Sequence, residues 1–335
     1  MKIAKRHIDL ELTNRCNATC DFCPREKTPK QGFMTFEVFQ KAVERILELG
    51  SHEQVFLTGL GEPMLHPRFL DCVRYGIEHG LSISMASNAS RLTPELTANL
   101  LDAGITRIVF SVSDIDEDYD RVYGIPFAVT RDNIFDFVRQ SRGRCHVQIT
   151  VVQHDNNAHL IDGIVKFWEA AGVDYVMVVQ EENRGGTHDK TFQFLESKQY
   201  WREALALIHK KGLTEVCSLA FYSVFIGWNG QYYLCCNDWE KTVPLGSVHD
   251  LSIEEVDAFK LAHTKAQKTI CQTCCVNPVN EMREVLFDIE KGVRGKFAIA
   301  NKLNSLSQGR FHLEDFTKIL QEQDVDNHII VAVKD

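Results

Sequence analysis

Three cysteines follow the first predicted strand at a spacing that could hold an inorganic centre. They are Cys16, Cys20 and Cys23, in the run Cys-Asn-Ala-Thr-Cys-Asp-Phe-Cys. Thiolates this close in sequence converge on one centre, and iron–sulfur clusters are held by cysteine thiolates, usually four. A four-iron cube with only three protein thiolates leaves one iron open to a small molecule. A structural zinc ion is the alternative, but zinc prefers four ligands, usually in two separated pairs.

Four further cysteines could form a second centre later in the chain. Cys271 and Cys274 form a close pair, whereas Cys217 and Cys235 are far apart in the sequence. An Asn-Gly pair shortly before Cys235 predicts a hairpin turn, so this cysteine ends a hairpin. Two ligands of this kind and two from the close pair can enclose one iron–sulfur cluster. A structural zinc ribbon with four cysteine ligands stays open as the alternative.

Length and composition indicate the class of protein around these cysteines. At 335 residues the chain can form one large α/β domain and a smaller one. A net charge of −9 without any basic block argues against a nucleic-acid or membrane partner. No apolar segment typical of a secretion signal follows Met1. Eleven cysteines in such a chain indicate reduced thiols kept for metal, which predicts a cytoplasmic protein.

Six predicted strands alternate with helices over the first half of the chain and require a parallel sheet. The strands are expected at 8–12, 55–58, 81–85, 105–112, 147–152 and 175–179. The chemical motifs follow strand ends, which is where α/β barrels place their active sites. After the sixth strand the alternation stops. We therefore predict a barrel over 1–190, a linker helix and second cysteine domain over 191–280, and a helical extension over 281–335.

The cysteine triplet, with Phe22 before its last member, resembles that of the radical SAM superfamily. In that family the open iron is chelated by the amino and carboxylate groups of S-adenosylmethionine. The second cysteine group resembles the twitch domain, a shortened relative of the SPASM domain, which implies one auxiliary [4Fe–4S] cluster with four cysteine ligands. The resemblance implies an α/β fold: a partial (β/α)6 barrel of the TIM type, a small α+β twitch domain and a helical C-terminal extension.

The resemblance also implies a set of S-adenosylmethionine contacts, most of them at strand ends. These are Phe22, Gly61, Glu62, Asn88, Ser111 and Ser113. Glu62 occupies the acidic position of the family's GGE-type motif, which binds the methionine amino group. Asn88 stands where relatives often carry Thr-Asn-Gly, although Ala89 replaces the glycine here. The two serines match the ribose-contacting segment, and Phe22 is either an adenine neighbour or an apolar plug. Each of these residues alone also fits an ordinary turn or core position.

In function the chain resembles radical SAM twitch enzymes, including the aminocyclitol dehydrogenase group. This resemblance implies that a 5′-deoxyadenosyl radical, made by reductive cleavage of S-adenosylmethionine, removes hydrogen from a substrate. The auxiliary cluster would then accept an electron, so the net reaction is an oxidation. Flavodoxin or ferredoxin would supply the reducing electron. Arg184, which follows the sixth strand, is the candidate residue for binding or deprotonating the substrate.

The expected substrate is a small polar molecule such as a sugar, a cyclitol or a nucleotide. The triplet begins at Cys16, so we expect no leader-binding domain of the kind that peptide-modifying relatives often carry before the barrel. Modification of a peptide or protein stays open. Two readings from other classes are a non-catalytic iron–sulfur electron-transfer protein and a zinc-stabilised binding module.

Overall fold

The computed structural model describes residues 6–28, 30–50, 54–182, 198–211, 217, 219–220, 223–266, 270–295 and 297–306. The chain divides into two compact units. The first comprises Met1–Glu181 and Leu219–Lys260, and the second comprises Glu182–Ser218 and Leu261–Asp335. The first unit contains the sheet and the cysteine triplet, and the described part of the second is helical.

Six parallel strands form the barrel portion of the first unit, as the sequence predicts. They are β1 (His7–Leu10), β2 (Gln54–Leu57), β3 (Ser82–Ser87), β4 (Arg107–Ser111), β5 (His146–Gln153) and β6 (Tyr175–Gln180). Each strand pairs in parallel with the next one along the chain. All six therefore direct their carboxyl ends to the same edge of the sheet, where the loops that carry the motifs begin.

Helices connect these strands and cover one face of the sheet. They are α1 (Phe36–Leu47), α2 (Phe69–Glu78), α3 (Pro94–Ala103), α4 (Asp116–Tyr123), α5 (Phe127–Ser141) and α6 (Ile161–Ala170). The start of α3 carries both signals of a helix N-terminus, since the Thr93 side chain accepts from Leu96 N and Pro94 is the first helical residue. Sequence analysis did not predict α4, which follows the serine segment after β4.

The core of this unit lies between the sheet and the helices. Alternate strand residues such as Ile8, Leu10, Val55 and Leu57 are fully buried there. The residues between them in β1 and after it are polar, yet Asp9 and Glu11 are buried too. The second face of the sheet, which the sequence pattern assigns to the barrel interior, is therefore rich in polar groups.

A hairpin extends this sheet beyond the barrel strands. It consists of β7 (Ser223–Ile226) and β8 (Gln231–Tyr233), and β9 (Pro244–Ser247) pairs with β8. The predicted turn is confirmed, with Gly230 at a φ of 75°. In addition, β7 pairs in parallel with β1, so one nine-stranded sheet runs in the order β6-β5-β4-β3-β2-β1-β7-β8-β9. Helix α8 (Ile253–Ala266) follows β9.

The second unit has its own apolar core made by helices. These are α7 (Lys198–Lys210), α9 (Ile270–Thr273), α10 (Pro278–Glu290) and α11 (Phe297–Leu306). Ala204, Ile208, Met282 and Ile299 are fully buried among them. The predicted helical C-terminal extension is thus confirmed as far as Leu306. Among the described helices, none is both long enough and apolar enough to span a bilayer.

Ala89 adopts an unusual backbone conformation that leads to a stability prediction. This buried residue, directly after Asn88, has a φ of 60°, in the left-handed region where glycine is favoured. Relief of about 1–2 kcal/mol of strain exceeds the loss of one buried methyl, worth about 0.8 kcal/mol. We expect Ala89→Gly to raise the free energy of unfolding of the metal-free chain, measured by urea denaturation. Ala103→Gly in α3 is the matched control and should lower it; a destabilised Ala89→Gly would contradict the strain argument.

Candidate functional site

The cysteine triplet lies in a loop that starts at the carboxyl end of β1 and is fastened at several points. The Thr19 amide donates to the Tyr123 carbonyl at 2.9 Å. Arg25 Nη1 donates to the Cys16 carbonyl at 2.6 Å, and the Cys23 amide donates to the Cys20 carbonyl at 3.1 Å. These bonds hold the three cysteines together in one short segment before any metal is bound.

The environment of the triplet fits a metal cluster better than it fits unmetallated thiolates. Burial raises the pKa of Cys16 to about 11, with Glu62 and Cys23 adding repulsion. Burial also raises the pKa of Cys20, and the charges of Cys23 and Cys16 act in the same direction. A bound cation reverses this cost, because metal binding displaces the thiol protons. The Ala18 amide and Asn88 Nδ2 donate to Cys16 Sγ at 3.4 and 3.8 Å, and such bonds tune iron–sulfur clusters.

Within the described residues, no three His, Cys, Asp or Glu side chains meet at a point that would hold a single metal ion. A four-iron cube offers a separate iron to each thiolate, so it does not require its ligands to meet in that way. Metal analysis therefore distinguishes a zinc ion at the triplet from an iron–sulfur cluster.

Glu62 is a buried carboxylate at the carboxyl edge of the sheet, beside the triplet. Its Oε1 accepts from Ser87 Oγ at 3.0 Å and from the Met64 amide at 3.2 Å, and its Oε2 accepts from the Asn88 amide at 2.8 Å. Burial raises its pKa to about 7, although these three bonds act in the opposite direction. A carboxylate offers about four acceptor positions, so one stays available for a cationic ligand.

Gly61 is required by the packing of the chain against itself. A Cβ here would lie 2.2 Å from the Thr13 carbonyl oxygen and 2.6 Å from that of Arg15. The next amide, that of Glu62, donates to the same Arg15 carbonyl at 2.9 Å. The glycine therefore brings the loop after β2 against the cysteine loop, which fixes the Glu62 carboxylate relative to the triplet.

Asn88 connects the end of β3 to the cysteine loop. Its Nδ2 donates to Asn17 Oδ1 at 3.2 Å as well as to Cys16 Sγ, and its Oδ1 accepts from Ser90 Oγ at 2.7 Å. Its amide is the donor to Glu62 described above. The structure thus brings together three sequence-predicted features: the triplet, Glu62 and Asn88.

The two candidate ribose contacts have different environments. Ser111, the last residue of β4, is half-buried. Ser113 is fully buried, and its Oγ accepts from the Val152 amide and from the Tyr123 hydroxyl, both at 3.0 Å. These two hydrogen bonds within the protein satisfy the buried Ser113 hydroxyl and give it a structural role. This makes Ser111 the more accessible of the two predicted contacts.

Phe22 packs on a buried polar pair that sequence analysis missed. Its ring stacks on that of His154 at a centroid distance of 5.7 Å and meets the edge of Tyr123 at 5.9 Å. His154 Nε2 lies 3.1 Å from Asp114 Oδ2, and both side chains are almost fully buried. Burial raises the pKa of Asp114, and the His154 contact lowers it. Sequence analysis did not identify His154, whose signal in the sequence is its position directly after β5.

A second buried pair that sequence analysis missed lies where β1 and β7 end. Glu11 is fully buried, and its Oε1 accepts from the Leu60 amide at 3.1 Å. Lys241 Nζ lies 3.7 Å from the same oxygen and 3.7 Å from the centre of the Phe225 ring. Burial lowers the pKa of Lys241, and Glu11 opposes this effect. Because 230 positions separate the two residues, no local pattern links them.

Three of the four predicted auxiliary ligands belong to the second unit, and the structure brings them near each other. Burial raises the pKa of Cys274 to about 12, and its thiol also interacts electrostatically with Cys275, Cys217 and Cys271. Asn280, fully buried in α10, donates to the carbonyls of Cys271 and Cys274 at 3.3 and 3.1 Å. Sequence analysis did not identify this asparagine, which holds the turn of the close cysteine pair.

The fourth predicted auxiliary ligand, Cys235, belongs to the first unit and lies two residues beyond the end of β8. It is buried, and it interacts electrostatically with the ammonium group of Lys260. Burial lowers the pKa of Lys260 to about 8, while Cys235 opposes this effect. Arg184, the predicted catalytic residue, lies outside the described residues.

Comparisons with known proteins identify two domains. Residues 10–167 match the family model of the radical SAM superfamily, and residues 217–275 match that of the SPASM iron–sulfur cluster-binding domain. The second match begins at Cys217 and ends at Cys275. Residues 10–167 contain the triplet, Glu62, Asn88 and both serines.

Curated relatives match over part of their length. The tungsten-containing aldehyde ferredoxin oxidoreductase cofactor-modifying protein of Pyrococcus furiosus is 30% identical over 108 residues, which cover 32% of this chain and 30% of that protein. The AdoMet-dependent heme synthase of Methanosarcina barkeri is 31% identical over 134 residues, which cover 39% of this chain and 38% of that protein. The chain thus matches only about a third of the length of these two relatives.

Solved structures show the fold over a larger share. BtrN in complex with AdoMet and 2-DOIA has a TM-score of 0.52 at 16% identity, covering 82% of this chain and 94% of BtrN. Streptococcus suis SuiB bound to the precursor peptide SuiA has a TM-score of 0.59 at 11% identity, covering 82% of this chain and 70% of SuiB. These domains imply [4Fe–4S] clusters and S-adenosylmethionine, which confirms the predicted cofactors. The chain therefore carries a radical SAM domain with a partial barrel, followed by a SPASM iron–sulfur cluster-binding domain.

Proposed function

We propose that this protein is a radical SAM enzyme that oxidises a small polar substrate, with the auxiliary cluster as electron acceptor. The observation that carries the proposal is the assembly of Cys16, Glu62 and Asn88 at the carboxyl edge of β1 to β3. Asn88 bonds both to Cys16 Sγ and, through its amide, to the Glu62 carboxylate. An open-iron cluster site and an acceptor for an ammonium group thereby stand side by side in one hydrogen-bonded network.

The chain's own residues have separate tasks in this proposal. When bound, the cluster and S-adenosylmethionine supply a 5′-deoxyadenosyl radical, which is the chemistry that no side chain provides. Cys16, Cys20 and Cys23 hold the cluster and leave one iron open. Glu62 binds the methionine ammonium through a charge-assisted hydrogen bond. Asn88 fixes the loop, and Ser111 is the proposed contact to the ribose hydroxyls.

A polar barrel interior supports a polar substrate. Arg107 Nη2 donates to Gln148 Oε1 at 2.6 Å, and Gln148 Nε2 lies 3.2 Å from Thr150 Oγ1. The Glu11–Lys241 pair adds charge at the carboxyl edge of the same sheet. Burying ionic and amide groups costs free energy, so such an interior suits a ligand with hydroxyl or amino groups. BtrN, whose structure was solved with AdoMet and 2-DOIA, supports a small molecule.

The electron balance of the proposed oxidation requires a one-electron acceptor. In the proposed oxidation the substrate would give up one hydrogen atom to the radical and would then lose one proton and one electron. We propose a second [4Fe–4S] cluster, held by Cys217, Cys235, Cys271 and Cys274, as the acceptor of that electron. The proximity of Cys217, Cys271 and Cys274 within the second unit supports this ligand set. Flavodoxin or ferredoxin is the proposed reductant of the first cluster.

Modification of a peptide is a second candidate function. SuiB, whose structure was solved with a precursor peptide, shares the fold over 82% of this chain. Both candidates begin with the same radical, and they differ in what occupies the barrel.

The test of the proposed function is the formation of 5′-deoxyadenosine. The reconstituted protein is incubated with S-adenosylmethionine and dithionite under anaerobic conditions, and the product is measured by liquid chromatography. We expect 5′-deoxyadenosine, and faster formation with one member of a panel of sugars, cyclitols and nucleotides. A protein with intact clusters but without this product would be an electron carrier. Stimulation by peptides alone would favour the second candidate.

Glu62→Gln should weaken S-adenosylmethionine binding while both clusters survive. Charge-assisted bonds are about twice as strong as neutral ones, so we expect at least a tenfold loss of affinity. Isothermal titration calorimetry of the reconstituted protein measures it. Glu95→Gln, at an exposed position of α3, is the matched control and should bind normally. An unchanged affinity in Glu62→Gln would show that Glu62 only stabilises the turn after β2 and does not bind S-adenosylmethionine.

In the metal-free chain, Glu62→Gln should also change how the free energy of unfolding depends on pH. Because burial raises the pKa of Glu62 from about 4.5 to about 7, folding favours its protonated form. The parent therefore loses stability relative to Glu62→Gln as the pH rises from 4.5 through 7, by a difference on the order of 3 kcal/mol. Urea denaturation at several pH values measures this difference; a constant difference would contradict the raised pKa.

A further inference from the structure

Lys260 is a fully buried lysine of α8 with no part in the functions described so far. Its side chain is 0% exposed, and its Nζ donates to the Ala220 carbonyl at 2.9 Å and to the Ser223 carbonyl at 2.7 Å. Two carbonyl oxygens at this distance fix the position of the ammonium group. Burying a lysine is costly, so an electrostatic partner is expected nearby.

The β7–β8 hairpin indicates which residue lies near the ammonium group of Lys260. In the β7–β8 hairpin, Phe225 pairs with Tyr233 and Ile226 pairs with Tyr232. Ser223 lies two residues before Phe225 and Cys235 lies two residues after Tyr233, so both are found at the same end of the hairpin. Lys260 Nζ binds the Ser223 carbonyl, so it lies at the end of the hairpin from which the chain continues to Cys235. An electrostatic interaction of the ammonium with Cys235 agrees with this placement.

The other charged groups that act on Lys260 are Asp257, Arg6 and Cys236. Asp257 and Arg6 act on Lys260 in opposite directions, and these two residues form an ion pair with each other. Lys241, the other buried lysine described in this unit, lies instead against Glu11. Lys260 thus presents a positive charge, fixed in position by two carbonyls, to a proposed cluster ligand in a buried region.

A fixed positive charge has a defined effect on an iron–sulfur cluster. Reduction adds one negative charge to the cluster, and a nearby ammonium stabilises the reduced form more than the oxidised form. Electrostatic interactions of buried groups are weakly screened, so the effect is larger than at a surface. Net charge and hydrogen bonds around the sulfurs are known to set the reduction potentials of such clusters.

We propose that Lys260 raises the reduction potential of the auxiliary cluster and so favours electron transfer to it from the substrate radical. The inference rests on the proposed function, because it takes Cys235 as a ligand of that cluster. In this step the substrate radical is oxidised by one electron and releases a proton, while the cluster is reduced by that electron. Lys260 does not touch the reacting atoms and acts through the cluster.

The test is an anaerobic redox titration of the full chain with both clusters, followed by electron paramagnetic resonance. In Lys260→Met we expect the auxiliary cluster to be harder to reduce, with at least a tenfold lower reduced-to-oxidised ratio at a fixed potential. For a one-electron couple this corresponds to a 59 mV lower midpoint. The midpoint of the triplet cluster should not change, and the same titration in a Cys16→Ala/Cys20→Ala/Cys23→Ala background assigns the auxiliary signal.

Matched variants separate charge from packing. Lys260→Arg keeps the charge and should shift the midpoint far less than Lys260→Met, and Lys166→Met, at an exposed position of α6, should not shift it. An unchanged midpoint in a folded Lys260→Met protein with both clusters would overturn the inference, as would an equal shift in Lys260→Arg. Loss of the cluster in Lys260→Met and Lys260→Gln, with retention in Lys260→Arg, would also overturn it, because the charge would then hold the cluster. Absence of a second cluster from the parent would instead contradict the proposed function.

Discussion

Replacing Cys16, Cys20 and Cys23 by alanine should remove about four of about eight irons and abolish 5′-deoxyadenosine formation. The parent is expected to carry two four-iron cubes, since its cysteines form two separate groups. The triplet sits in a loop fastened by the Thr19, Arg25 and Asn88 contacts, which do not depend on the second group. The second cube should therefore survive in the variant. Iron and zinc analysis, together with the product assay, measures the effect.

Two buried cysteines outside both groups provide the control for this experiment. Cys72 lies in α2 and Cys145 just before β5, and burial raises the pKa of both to about 12. They pack as small apolar residues, so Cys72→Ala/Cys145→Ala should keep the full iron content and the activity. Zinc in place of iron in the parent would contradict the cluster assignment, and loss of all iron in the triplet variant would contradict two independent sites.

Much of the barrel could be predicted because its signals are local. Alternating apolar residues such as Ile8 and Leu10 define strands, and Thr93, Pro94 and Gly104 define the ends of a helix. The strand-end motifs then follow from the parallel order, since all six carboxyl ends lie at one edge. Glu62 and Asn88 meet Cys16 there because β1, β2 and β3 are neighbours in the sheet.

What could not be predicted depends on contacts between distant segments. The pairing of β7 with β1 joins residues more than 200 positions apart, and sequence analysis did not foresee that the hairpin would continue the barrel sheet. That pairing brings Lys241 to Glu11 and creates a buried charged pair without a sequence motif. Similarly, Lys260 lies in an ordinary helical pattern, and only its bond to the Ser223 carbonyl places it at the end of the hairpin near Cys235.

The burial and hydrogen bonds of individual side chains also could not be predicted from a motif. Ser111 and Ser113 carry the same hydroxyl at the end of the same strand segment. Tyr123 and Val152 use the Ser113 oxygen internally, whereas Ser111 stays half-buried. Asn280 carries no motif, yet it holds the turn of Cys271 and Cys274 through their carbonyls. Such roles follow from burial and hydrogen-bond geometry, which the chain acquires only on folding.

Cys271→Ala/Cys274→Ala should abolish the oxidised product while 5′-deoxyadenosine formation persists at least in part. Hydrogen abstraction needs the open-iron cluster, whose residues all lie in 10–167, whereas oxidation needs an acceptor for the remaining electron. The two cysteines interact with one another and lie in the segment that matches the SPASM domain. The variant should keep about four irons, all of them in the triplet cluster.

The main confounder in this experiment is misfolding, because cluster binding couples to folding. Asn280→Ala, which leaves every cysteine in place, is the matched variant and should weaken the second cluster by loosening the turn that presents Cys271 and Cys274. Circular dichroism of both variants must match the parent, and the substrate found by the panel is used to measure the product. A folded variant that lacks the second cluster and still forms full oxidised product would make that cluster structural. The electron would then have to leave the substrate radical by another route, and the potential set by Lys260 would have no effect on turnover.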